Sequence, residues 1–80
     1  MDRVEKFLRK LPEHLRRRVL SAYYAILEDR LKTLDIKSLQ GRKGWFRCRV
    51  GGIRIIFVRT SQGTHMIYDM QFRGKAYRKV

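Results

Sequence analysis

Eighty residues make one small domain, spanning 1–80, near the lower size limit at which a single core folds alone, and 44% hydrophobic content excludes a disordered chain. Twenty Lys and Arg against seven Asp and Glu leave a net charge of +13, which suits nucleic acid and would also suit an acidic protein partner or, as a weaker reading, an anionic membrane surface. No run approaches the ~20 apolar residues of a membrane-spanning helix, the charged start lacks a signal-peptide core, and no membrane partner is expected.

In chain order, Val4, Phe7, Leu8 and Leu11 recur at helical spacing and predict a short amphipathic helix over 2–11. Pro12 breaks it and suits the first turn of a second helix, whose N-terminal dipole Glu13 complements. Leu15, Val19, Ala22, Tyr23, Ile26, Leu27, Leu31 and Leu34 carry an apolar stripe from 13 to about 34, so two antiparallel helices are expected. The run Arg16-Arg17-Arg18 covers more than one helix face and reads as solvated surface, with contact to an acidic partner or nucleic acid as the alternative. Residues 35–44 read as a connecting loop with a basic tip at Arg42-Lys43.

From Trp45 onward the period becomes two. Gly51-Gly52 predicts a tight hairpin, since both central positions of a type I′ turn need positive φ. That turn opposes Arg49 to Arg54, Cys48 to Ile55, Arg47 to Ile56 and Phe46 to Phe57. A second turn near Ser61-Gln62-Gly63-Thr64 opposes Phe57 to Tyr68, Ile56 to Asp69, Ile55 to Met70 and Arg54 to Gln71. One face then collects Phe46, Cys48, Ile55, Phe57, Tyr68 and Met70 for packing on the helices. The other carries Trp45, Val58 and Ile67, then Arg47, Ile56 and Asp69, then Arg49, Arg54 and Gln71, with Arg73 just beyond. The fold class expected is α+β: an N-terminal helical hairpin on a three-stranded antiparallel sheet.

Residues 1–44 hold 12 basic and 6 acidic residues, and residues 45–80 hold 8 and 1, so the sheet half is the cationic one. Arginines directly across a strand pair repel by up to about 1 kcal/mol. Residues 45–73 contain five arginines and no lysine. That preference favours phosphate, which the guanidinium fork grips bidentately. Trp45 either stacks a base or closes the edge of the core. Asp69 reads as positioning an arginine rather than acting as a base. His14 and His65 read as solvated, and Cys48 as a small core residue. One cysteine allows no intrachain disulfide and no metal-cluster spacing, so a reducing cytoplasm is expected.

The segments Leu39-Gln40-Gly41, Trp45-Phe46-Arg47-Cys48-Arg49-Val50-Gly51, Ile53-Arg54-Ile55-Ile56-Phe57 and Phe72-Arg73-Gly74-Lys75-Ala76-Tyr77-Arg78 together resemble the RelE/ParE toxin superfamily. The likeness covers roughly 34–79. That family usually places a strand before the helices, so the resemblance implies a RelE-like sheet lacking its first strand. It further implies a ribosome-dependent mRNA endonuclease, a toxin neutralised by an acidic antitoxin, with the ribosome and mRNA as its other partners. Cleavage would proceed by 2′-hydroxyl attack on the adjacent phosphate, with no metal and no cofactor. The positions carried over are Arg47, Arg49, Arg54, Arg73 and Tyr77, with Arg54, Arg73 and Tyr77 catalytic and Arg47 and Arg49 binding substrate. Trp45 and Lys75 are the further substrate-binding candidates. ParE-like relatives inhibit DNA gyrase and often lack the terminal tyrosine. A gyrase inhibitor, or an inactive RNA-binding relative, is the alternative.

Overall fold

The computed structural model describes residues 3–72. Helices α1 (Arg3–Arg9) and α2 (Glu13–Leu27) precede strands β1 (Asp35–Ser38), β2 (Trp45–Val50), β3 (Ile53–Arg59) and β4 (His65–Phe72). The strands form one antiparallel sheet in the order β1-β2-β3-β4. This is the expected α+β arrangement, but with four strands rather than three. The extra strand lies inside the segment read as a loop, after the helices. Among the described residues none precedes α1. Its four residues, Asp35-Ile36-Lys37-Ser38, offer a single apolar position, too weak an alternation to show as a strand.

The core is one cluster joining Leu11, Val19, Ala22 and Ile26 to Cys48, Val50, Ile53, Ile55, Phe57 and Met70. α1 packs chiefly on β4, and α2 on β4 and β2. The hairpin closes at Gly51-Gly52 in the expected register, but only Gly51 takes a positive φ (57°). The turn is therefore not the expected type I′ and has instead the single positive φ, at its first central position, of a type II′ turn.

α2 ends earlier than the apolar stripe suggested. The Arg30 N–H reaches Ala25 O (2.8 Å) and the Asp29 N–H reaches Ile26 O (3.1 Å), the paired bonds of a Schellman ending. Asp29 takes the left-handed conformation at φ 60°, which aspartate tolerates better than most side chains. Leu31 and Leu34 still pack on the core, from the turn rather than from the helix.

His65 corrects a second expectation. It is only 5% exposed, donates from Nδ1 to Ile26 O (2.8 Å) and accepts at Nε2 from Arg59 Nε (3.2 Å). A carbonyl only accepts and a guanidinium N–H only donates, so these two partners select the neutral Nδ1–H tautomer. The imidazole thus ties the end of α2 to the β3–β4 hairpin.

The arginine run also divides. Arg16 donates to Leu8 O (3.1 Å) and Leu11 O (2.8 Å), capping the carbonyls where α1 ends. Arg17 pairs with Glu13 at 2.9 Å on the exposed surface. Arg18 lies against Gly51, where an added Cβ would sit 3.4 Å from its Nη1.

Arg16→Ala should therefore destabilise the fold by about 1.5–3 kcal/mol in urea unfolding, whereas Arg17→Ala should cost under about 1 kcal/mol. Cys48 is fully buried. Burial, with a smaller push from the Asp35 charge and a partial offset from Arg47, raises its thiol from the usual 9.0 to about 11. The folded state thus holds this proton more tightly than the unfolded chain. Its contribution is complete below pH 9 and is lost as pH climbs to 11. Across that window the wild type should lose more unfolding free energy than Cys48→Ala, measured by urea titration at each pH.

Candidate nucleic-acid interface

The packing of β2 and β3 decides where the arginines go. Phe46, Cys48 and Val50 of β2, and Ile53, Ile55 and Phe57 of β3, face the helices, so the residues between them face outward. Across the sheet this outer surface reads in rows. Asp35, Arg49, Arg54 and Gln71 form the first, and Lys37, Arg47, Ile56 and Asp69 the second. Trp45, Val58 and Met66 form the third. Arg47, Arg49 and Arg54 therefore share one face, as the strand periodicity predicts.

Among the described residues, these three guanidinium groups take part in none of the hydrogen bonds or ion pairs. Arg49 is exposed, while Arg47 and Arg54 are half-buried. Their forks are thus unsatisfied by protein and open to an anion.

β1 adds what the sequence reading missed. Asp35 stands opposite Arg49 and Lys37 opposite Arg47, so the face has one more acid and one more base than expected. The basic surface also turns the corner of the sheet. Arg17 and Arg18 of α2 share a cleft with Asp35, Arg49 and Gly51. Arg18 gave no sequence signal beyond its place in a charged run.

Asp69 is held, but not by Arg47. Its Oδ1 accepts the Met70 N–H (2.9 Å), its Oδ2 accepts Gln71 Nε2 (3.0 Å), and Arg3 of α1 approaches Oδ2 at 3.7 Å. The expectation that Asp69 positions an arginine holds in kind, with a partner from the far end of the chain.

One register expectation fails. Arg54–Gln71, Ile55–Met70 and Ile56–Asp69 pair as predicted, but an irregularity between Ile56 and Phe57 then sets Phe57 opposite Ile67. Tyr68 is the extra residue of a β-bulge. Ile67 therefore packs on the core, and Tyr68 emerges 54% exposed on the arginine side. Its ring meets Trp45 edge to face, with centroids 4.9 Å apart at 70°. Arg3 lies 5.8 Å from the Tyr68 centroid, and Arg42 4.8 Å from that of Trp45. Trp45 is thus at the outer rim rather than sealing the core.

Arg73, Lys75 and Tyr77 lie outside the described residues. The last residues of β4, Gln71 and Phe72, register with Arg54 and Ile53. His14 is exposed, as expected. Among the described residues no helix is long and apolar enough to cross a membrane.

No protein-family model matches the chain, and no curated protein matches it. Among solved structures it is similar to a chain in the crystal structure of the RelB–RelE antitoxin–toxin complex from Methanococcus jannaschii. The two share 23% sequence identity, with a TM-score of 0.76 over 99% of this chain and 94% of the other. Two helices followed by a four-stranded antiparallel sheet are thus a RelE-like α+β fold.

Proposed function

We propose that this protein is the toxin of a toxin–antitoxin pair and cuts mRNA on the ribosome. The observation that carries the reading is the row of unpaired Arg47, Arg49 and Arg54 on one sheet face. The fold shared with a chain of an antitoxin–toxin complex supports it. Guanidinium groups that repel one another across a strand pair are retained at a cost in stability, and a sugar-phosphate chain compensates that repulsion when it binds.

The reaction needs few protein groups. The 2′-hydroxyl of one nucleotide attacks its own 3′-phosphate in line, and the bond to the 5′-oxygen of the next nucleotide breaks. The products are a 2′,3′-cyclic phosphate and a free 5′-hydroxyl. The nucleophile loses its proton and the leaving oxygen gains one. Arg54 and Arg73 clamp the phosphate and stabilise its growing charge. Arg47 and Arg49 hold flanking phosphates with Lys75, and Tyr77 stacks on a base or orients the nucleophile. Arginine stays protonated and is a poor general base. Asp69 is committed to Met70, Gln71 and Arg3 and is a poor one too. Proton transfer therefore falls to Tyr77, to a ribosomal group or to solvent, and free RNA should be cut slowly. An acidic antitoxin that covers the arginine row would silence the protein in the cytoplasm.

In a translating extract with mapped RNA ends, Arg54→Ala and Arg73→Ala should each slow message cleavage on the order of 100-fold. Tyr77→Phe should slow it as well. Full translation arrest and cutting by both arginine variants would overturn the assignment. DNA breakage with unchanged message 3′ ends would instead identify a gyrase inhibitor.

A further inference from the structure

The bulge at Tyr68 creates a feature that the arginine row does not explain. Trp45, Val58, Met66, Ile67 and Tyr68 line a small hollow at the rim of the outer face, and its walls are almost wholly apolar. Met66 and Tyr68 are 61% and 54% exposed there, large apolar groups left facing water on a protein of +13 net charge. Without the bulge, Tyr68 would face the core and Ile67 the solvent. The extra residue thus places a second aromatic ring beside Trp45.

Trp45 and Arg47 occupy successive outward positions on β2, about 6.6 Å apart at ordinary strand rise. That step is comparable with the phosphate repeat of an extended single strand. A chain whose phosphate lies on Arg47 and Arg54 brings its next base to the hollow. Aromatic rings accept any base by stacking, and a cation over the ring, as Arg42 sits over Trp45, strengthens such a platform. An acidic peptide would satisfy the arginines but would leave the aromatic corner unused.

We propose that the Trp45–Tyr68 corner is a stacking site for one unpaired nucleobase, adjoining the phosphate site of the arginine row. The inference rests on the reading of that row as a single-stranded RNA surface. Tyr68 is the residue it adds: a positioning group that sets the register of the strand on the face.

Trp45 is the only tryptophan, so its fluorescence reads this corner directly. The probe is a short single-stranded oligoribonucleotide, compared at fixed moderate salt with one of equal length in which every base is absent. Wild type should bind the base-bearing strand on the order of 5- to 100-fold more tightly, with quenching of Trp45 emission. Tyr68→Ala should remove most of that preference and leave affinity for the abasic strand unchanged. Tyr68→Phe should keep it, and circular dichroism should show both variants folded. Arg47→Ala should weaken both strands alike. Equal affinity of the wild type for the two strands, or a preference that survives Tyr68→Ala, overturns the stacking site. In either case the phosphate reading stands if Arg47→Ala still weakens binding. Failure of both strands to bind overturns both readings together.

Discussion

Ile53, Ile55 and Phe57 occupy alternate positions of β3, each with no exposed surface, in one cluster with Val19 and Ile26 of α2. Burying each contributes about 1.5–3 kcal/mol. Slipping β3 by one residue would bring Arg54, Ile56 and Val58 to the helices and the three core residues to water. No arrangement of charges on the outer face competes with that loss, because the Arg49–Arg54 repulsion amounts to about 1 kcal/mol at most. The apolar packing therefore dictates the cationic surface, and the arginines are held together by residues on the opposite face of the sheet.

The outer face is consequently fixed in which residues it presents and in their spacing along and across the strands. Its three rows run from a charged end, where Arg49 and Arg54 stand opposite each other, to an aromatic end at Trp45 and Tyr68. Asp69, the one acid of the sheet half, is held at the β4 side by Arg3, Met70 and Gln71. Asp35 enters from the opposite edge beside Arg49. Both acids lie at the margins, so the middle of the face stays cationic.

Much of this was legible in the chain. Gly51-Gly52 set the β2–β3 register residue by residue, and with it the side on which each arginine lies. The features that escaped are those with no periodic signature. β1 has one apolar residue in four, Ile36, which packs on the core, and its pairing with β2 supplies the rest of what defines it. The bulge changes the face of Tyr68 through a single unpaired residue that alternation cannot foresee. The end of α2 depends on the dihedral of Asp29 and on backbone bonds, although Leu31 and Leu34 continue the apolar stripe. His65 and Arg16 look like surface residues in sequence. Their partners are main-chain carbonyls, which no residue pattern announces.

α1 is a different kind of element from the rest. Its seven residues include none that is fully buried, and a helix so short does not persist alone in water. It is retained by Phe7 against Phe72, by Arg3 at Asp69 and by the two carbonyls that Arg16 grips. These ties can release without disturbing any pairing between strands. The molecule should therefore have two tiers of opening: a low-energy fluctuation that frees the first helix, and a much rarer one that melts the sheet. Amide protons of α1 would exchange with solvent through the first, and those at the centre of β3 only through the second.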